Sequence, residues 1–480
     1  MHLIADAPGT VAFAKMRLDY FPPCGILPRM KTKNELELEL NDYSAKVRSA
    51  ALAELCRSFN DAILPEGSNV NMHIHSFFSY NAEGWSPSRI AWETRKRGLR
   101  AAALCDFDVL EGLDEFLDAC LAVGMRGAVG LETRAYLKEF GDVDINSPGE
   151  PGVTYIMGIG FVRKPAAGTT AASTLAMFRD QYDRRNLAMI ARINAALPAV
   201  ALDYERDVVP LTPARGVTER HIISAYRQKG EQAFPSRSDR IAFWGGVFGK
   251  TPAAMDSLFQ DLPAFEEQIR ARLTKNGGIG YEKPSETTFP PVDDFIDWVL
   301  ACDAIPTVTW LDGTSAGESD PVRLLECMCV KGSVAINIIP DRNWNIKDPD
   351  VKRVKVANLD AIIREADRMG LPVNIGTEMN KTGLPFADDL AGDVLARHKK
   401  TFLLGAHVMA GHTLLARYAN FSYSGTRAGA QFETIAEKNA FFARIGSAPA
   451  ITRRESDELL GAGDDRAFNW LVDRGSRYGN

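Results

Sequence analysis

The chain has 480 residues, of which 45% are hydrophobic and 25% charged, with a net charge of −6. That is the composition of a globular protein with a large core, and it gives no case for nucleic acid as a bulk partner. No apolar run reaches the roughly 18 residues that a membrane span needs. Met1-His2-Leu3-Ile4-Ala5-Asp6 lacks the basic and apolar regions of a signal peptide, so a cytoplasmic location is expected. The seven cysteines (Cys24, Cys56, Cys105, Cys120, Cys302, Cys327, Cys329) are odd in number and scattered, which predicts reduced thiols. Cys327-Met328-Cys329 reads as the buried side of a helix rather than as a metal site.

Residues 1–66 read as an N-terminal helical extension. Pro22-Pro23 and Pro28 break its early part, and residues 34–59 carry a helical stripe of Leu36, Leu38, Leu40, Val47, Ala51, Leu52 and Leu55. Pro65-Glu66-Gly67-Ser68 turns the chain into a first strand, 69–74, that ends in His73-Ile74-His75. Strand side chains alternate, so His73 and His75 share a face and can grip one divalent cation. The same pair also reads as two hydrogen-bonded core histidines, and His-x-His alone does not decide.

A strand–helix rhythm follows. Helix 87–97 starts at Ser86-Pro87 and closes at Gly98. Strand two, 101–105, runs into Asp106-Phe107-Asp108, and helix 111–123 follows. Strand three covers 128–132 and continues to Tyr136. A loop rich in Pro and Gly, 141–152, leads to strand four at 154–161. Residues 165–290 break the rhythm and read as an inserted, mostly helical cap. Within it, residues 244–251 are a near miss to a phosphate-binding loop, one residue short between Gly245 and Gly249, and read as a turn. The rhythm resumes with helix 292–301, strand five at 305–310, helix 321–331, strand six at 333–339, helix 358–369 and strand seven at 372–378. Residues 388–480 form a C-terminal helical segment with a glycine-rich break near 425–429.

Seven apolar strands alternating with helices predict an α/β protein, a parallel barrel or open sheet built from 67–164 and 291–387. In such folds the active site lies at the C-terminal strand ends. That rule gathers His73, His75, Asp106, Glu132, Trp310, Asn337 and Glu378 at one mouth. Arg134, Arg342 and Lys381 follow strands three, six and seven and can hold an anionic substrate group, although each also reads as a solvated loop charge. His407 and His412 are candidate catalytic groups that can reach the mouth, or hydrogen-bonded core histidines. They are five apart and so not on one helix face, and Gly405 and Gly411 point to a strand or turn before a helix from Thr413. The loop 77–85 holds four aromatics that either seal against the cap or stack a ring.

Asn71-Met72-His73-Ile74-His75-Ser76, Leu104-Cys105-Asp106-Phe107-Asp108, Gly130-Leu131-Glu132 and Gly376-Thr377-Glu378-Met379-Asn380 resemble, in order, the motifs of the PHP (polymerase and histidinol phosphatase) family. The resemblance covers roughly residues 69–381. It implies a distorted (β/α)7 TIM-like barrel, a site for up to three divalent metals, and hydrolysis of phosphate esters. Gly216-Val217-Thr218-Glu219-Arg220-His221-Ile222 resembles the cap motif of one branch, with Glu219 where that branch has Arg. The likeness implies a substrate-phosphate contact for His221 and makes a short nucleotide a possible substrate.

The chain departs from the family at Tyr80, Phe107, Tyr155, Trp310-Leu311 and Asn380, where metal ligands are expected. His73, His75 and Glu132 are kept, and Glu378 stands where the family has Asp. Phe and Trp cannot bind a hard or borderline cation, so the expectation is one metal, Zn, Mn or Fe, held by His73, His75, Glu132 and Glu378. Asp106 would accept a proton or hold a histidine's second nitrogen. The reading is a metal-dependent hydrolase, a phosphoesterase by resemblance, acting on a small anionic substrate. Two alternatives stand beside it. One is a non-catalytic, ligand-binding barrel. The other is an amidohydrolase-like hydrolase or isomerase, for which the bridging lysine and later histidines are missing.

Overall fold

A computed structural model describes residues 31–59 and 63–479. The expected break at Pro22-Pro23 and Pro28, the signal-peptide reading and Cys24 fall outside the described residues. The N-terminal segment forms two helices rather than one, α1 (Lys33–Glu39) and α2 (Ala45–Ser58). Between them the Asp42 side chain accepts from the Ser44 amide at 2.6 Å, an Asx turn that competes with helix continuation.

Seven strands form one sheet in sequential order: β1 (Val70–Ile74), β2 (Ala101–Phe107), β3 (Arg126–Tyr136), β4 (Val153–Ile159), β5 (Ile305–Trp310), β6 (Ala335–Ile338) and β7 (Val373–Ile375). The sheet curls into a nearly closed barrel. Ile74 bridges Glu378, the His75 amide donates to Glu378 O at 2.9 Å, and the Glu378 amide donates to His73 O at 2.8 Å. A glycine makes this closure possible, because a Cβ on Gly376 would come within 2.3 Å of His73 Cβ. The strands are covered on both faces, which explains their near-continuous apolar runs.

One strand corrects the all-parallel expectation. β4 runs antiparallel to both β3 and β5. The loop 137–152 turns the chain back at the barrel mouth with no crossover helix, so β4 starts there and ends at the far side.

Helices α3 (Pro87–Lys96) and α4 (Leu113–Val123) cover the first strands, and the N-terminal pair docks on them. Arg48 Nε donates to Glu115 Oε1 at 2.8 Å, and Trp92 Nε1 donates to Glu37 Oε1 at 2.9 Å. The cap consists of α5 (Thr170–Ala196), α6 (Glu219–Ala233), α7 (Arg237–Phe248), α8 (Pro252–Leu258) and α9 (Leu262–Leu273), joined by short irregular turns. It has its own core around Ile193, Tyr226, Trp244, Phe265 and Ile269. The stretch resembling a phosphate loop lies mostly within α7, which Gly249 ends in the left-handed conformation.

Helices α10 (Val292–Ala301), α11 (Pro321–Val330), α12 (Asp341–Trp344) and α13 (Pro349–Arg368) accompany β5 to β7. The C-terminal segment holds α14 (Lys399–Ala419), α15 (Thr426–Gln431), α16 (Ile435–Ser447), α17 (Arg453–Leu460) and α18 (Asp464–Tyr478). α14 lies across the barrel end opposite the mouth, against β7 and β3. Gly405 and Gly411 do not mark a turn. They sit inside α14, where glycine costs about 1 kcal/mol relative to alanine, and close packing explains them. A Cβ on Gly411 would lie 2.0 Å from Phe442 O, and one on Gly446 would lie 1.9 Å from His407 O. The six described cysteines are free. No helix among the described residues is long and apolar enough to cross a membrane.

Candidate metal centre

Alternation along β1 turns His73 and His75 into the barrel, and β3 turns Glu132 toward them. Glu132 Oε2 lies 3.1 Å from His73 Nε2 and 3.3 Å from His75 Nε2. One donor atom from each of the three residues lies within 4.8 Å of the others, and all three side chains are fully buried. His73 Nδ1 is 2.9 Å from Asn337 Oδ1 on β6. An oxygen on each side of that ring calls for a proton on both nitrogens, or for a cation in place of the Nε2 proton. Burial works against charge on His73, but the Glu132 carboxylate outweighs it and raises the His73 pKa. Burial likewise opposes ionisation of Glu132, and the two imidazoles overcome it and lower its pKa.

Two atoms of the cluster, His75 Nε2 and Glu132 Oε1, are buried without a hydrogen-bond partner. The 3.3 Å approach of His75 to Glu132 is not aligned as a hydrogen bond. Leaving such a group unsatisfied costs about 1–3 kcal/mol. The other His75 nitrogen, Nδ1, lies 3.4 Å from Ser79 Oγ, which itself donates to Asp106 at 2.7 Å. A hydroxyl that donates to Asp106 is free to accept from Nδ1–H, which leaves the Nε2 lone pair aimed into the cluster. Two imidazole nitrogens and a carboxylate are a donor set suited to Zn, Mn or Fe. On these grounds the residues fit one divalent cation.

Glu378 stands apart from the cluster. Its Oε2 faces Arg342 at 3.3 Å, and it bears on His73 only through its charge. It and Met379 both hold left-handed backbone (φ 61° and 57°), which is uncommon for non-glycine residues and concentrates at functional sites. Asp106 points away from the barrel interior, as alternation with Phe107 requires. It accepts from the Ser76 amide, Ser76 Oγ and Ser79 Oγ, each at 2.7 Å. It therefore anchors the loop after β1 and touches the cluster only through Ser79. Trp310 also faces outward, since Thr309 beside it pairs in register with Asn337. Its indole packs toward Gly313 in the helical layer, so it does not fill a metal position.

The two C-terminal histidines lie at the wrong end of the barrel. His412 Nε2 is 3.0 Å from Gly160 O, beyond the end of β4, and its Nδ1 accepts from the Tyr423 amide. His407 sits near Arg126 and Arg100, which flank the starts of β3 and β2. Burial lowers both pKa values to about 4, and neither histidine reaches the mouth. His221 uses Nδ1 to accept from the Thr218 amide at 3.0 Å, capping α6. Burial lowers its pKa to about 4 as well. Lys381 is exposed and does not line the cavity at the mouth.

That cavity, of about 460 Å³, lies between mouth and cap. The barrel contributes Phe107, Asp108, Arg134, Tyr155, Arg342 and Glu378, and the cap contributes Tyr182, Glu219, Arg220, Arg270 and Lys275. Five cationic side chains (Arg134, Arg220, Arg270, Lys275, Arg342) and three carboxylates (Asp108, Glu219, Glu378) line it, and each cation is paired with a carboxylate, Arg220 with Glu267 and Arg342 with Glu378. Arg134 also pairs with Glu150 at 2.7 Å. Glu219 pairs with Arg270 at 3.1 Å and Lys275 at 3.0 Å, which explains a carboxylate at that position of the cap. Arg270, Lys275 and Tyr182 carry no local sequence signal, because only the folding of the cap brings them there. Asn337 does carry one, as a lone amide in a strand of Ala and Ile.

No protein-family model matches the chain, and no curated protein matches it. Among solved structures it is similar to an amidohydrolase from Chromobacterium violaceum with bound sulfate and no metal. The identity is 17%, the match covers 69% of this chain and 96% of that chain, and the TM-score is 0.44. It is also similar to a proposed metal-dependent phosphoesterase from Bifidobacterium adolescentis. There the identity is 19%, the match covers 71% of this chain and 98% of that chain, and the TM-score is 0.42. At this distance neither likeness carries weight for the site, whose reading rests on its own residues.

Proposed function

We propose that this chain is a metal-dependent hydrolase of small anionic esters with a single-metal site. The observation that carries the reading is the pair of unpartnered buried atoms, His75 Nε2 and Glu132 Oε1, in a three-donor cluster beneath a cavity lined by paired arginines and a lysine. His73, His75 and Glu132 would hold Zn, Mn or Fe. Such a metal supplies a Lewis acid and lowers the pKa of a water. Arg342 and Arg134 on the barrel, with Arg270 and Lys275 on the cap, orient the anionic end of the substrate. Asn337 and Ser79 hold the two imidazoles in place. Asp106, with three donors of its own, is an anchor rather than a proton acceptor.

The phosphoester preference comes from the PHP resemblance, and a short nucleotide is one substrate the aromatic and cationic lining would suit. One observation favours a second reading, a ligand-binding barrel without turnover: none of the three cluster residues lines the cavity. Protein purified without chelator would be assayed on phosphate monoesters, phosphate diesters, carboxylate esters and amides. Phosphate ester turnover that a chelator abolishes and a divalent metal restores supports the first reading. Turnover of amides alone moves the protein to the amidohydrolase-like class. Anion binding without turnover of any of the four supports the second.

A further inference from the structure

None of the three cluster residues lines the cavity, and Phe107 touches both the cavity and the cluster. Phe107 is the last residue of β2 and the register partner of Glu132 on β3, so it points into the barrel beside the cluster. Its ring lies flat on His75, with centroids 4.2 Å apart and planes at 18°. Its other side faces the cavity, where Tyr155 stands 6.1 Å away. Phe107 is half-buried, whereas His73, His75 and Glu132 have no exposed surface.

We propose that Phe107 is the gate between the cavity and the cluster, a positioning residue that makes the metal a captive one. The inference rests on the metal reading above. The chain just after the gate is held. The Asp108 amide donates to Glu132 O at 2.9 Å, and the Asp108 carboxylate accepts from Thr133 Oγ1 at 2.5 Å. Opening therefore falls to rotation of the Phe107 side chain, and the cavity offers about 460 Å³ into which the ring can swing. With the ring on His75, water and substrate stay on the cavity side. With the ring turned out, the unpartnered His75 Nε2 and Glu132 Oε1 become reachable from the cavity. Phe107 is not a ligand, so changing it alters how fast a metal enters and leaves more than how tightly it is held.

The test is the rate at which a chromogenic chelator strips zinc from zinc-loaded wild type, Phe107→Leu and Phe107→Trp, alongside the zinc affinity of each. A smaller side chain should speed stripping by about tenfold or more and a larger one should slow it, with affinity changing by about threefold or less; tenfold corresponds to roughly 1.4 kcal/mol in the exit barrier. The Leu variant keeps an apolar side chain, and circular dichroism on each variant checks the fold. Stripping rates equal to wild type in both variants would overturn the gate while leaving the metal reading intact. Wild type that takes up no zinc would overturn both.

Discussion

Glu132 sets one carboxylate oxygen 3.1 Å from His73 Nε2 and leaves its other oxygen buried without a partner. The arrangement is unfavourable for a closed hydrogen-bonded core and favourable for a cation. Asn337 completes it by fixing His73 from behind. Asn337→Leu should leave the three donors in place but free the His73 ring. Partners of this kind are worth about 10–100-fold in metal affinity. A competition titration with a metal indicator measures the loss, and an unchanged affinity would show that Asn337 has no such role.

The proposed roles of cavity and cluster are separable by mutation. Arg342 has 45% of its side chain exposed and pairs with Glu378 rather than with the cluster. Arg342→Ala should raise KM about tenfold, roughly 1.4 kcal/mol, with little change in metal content. Steady-state kinetics on any substrate found to turn over checks this. A fall in kcat with KM unchanged would place Arg342 in the chemical step instead.

The N-terminal helices brace the mouth. Arg48 is buried, bonds Glu115 bidentately, and lies 5.1 Å from the centre of the Phe77 ring in the loop after β1. Removing one partner of a buried pair costs about 3–5 kcal/mol, less here because Glu115 keeps some exposure. Arg48→Ala should lower unfolding free energy by about 2–4 kcal/mol in denaturant titration. Arg454→Ala, at an exposed pair on α17, should change it by less than about 0.5 kcal/mol.

A buried acid gives a stability trend with pH. Asp388 accepts from Trp344 Nε1 at 2.6 Å, while its other oxygen has no partner. Burial raises its pKa to about 7, and the Trp344 bond only partly opposes this. The unfolded carboxyl titrates near 4. The folded state therefore holds the proton more tightly between about pH 4 and 7, and the contribution of Asp388 to stability is lost as pH rises through about 7. Asp388→Asn keeps an acceptor for Trp344 and cannot ionise. Relative to wild type it should gain on the order of 1–3 kcal/mol between pH 5 and pH 8. Thermal melts at the two values measure the gap, and a constant gap would show that Asp388 is not the titrating group.

Much of the barrel was legible because alternation and strand length are local properties. Pattern alone puts His73 and His75 on one strand face and gathers them with Glu132 at strand ends. Which end of the barrel a residue occupies is not local. His407 and His412 look like site residues in sequence, yet α14 carries them to the opposite end. The reversal of β4 was hidden because a loop of Pro and Gly reads the same whether it precedes a parallel or an antiparallel strand. Glu378 falls at its strand end as expected, but its side chain turns to Arg342, a choice that depends on a neighbour carried by α12. The cationic cap residues were invisible for the same reason.

The central claim, one metal on His73, His75 and Glu132, is tested most directly by elemental analysis of wild type and Glu132→Gln purified without chelator. The expected result is one divalent metal per chain in wild type and a clear loss in the variant. Two or three metals per chain, or equal metal content in both proteins, would contradict it.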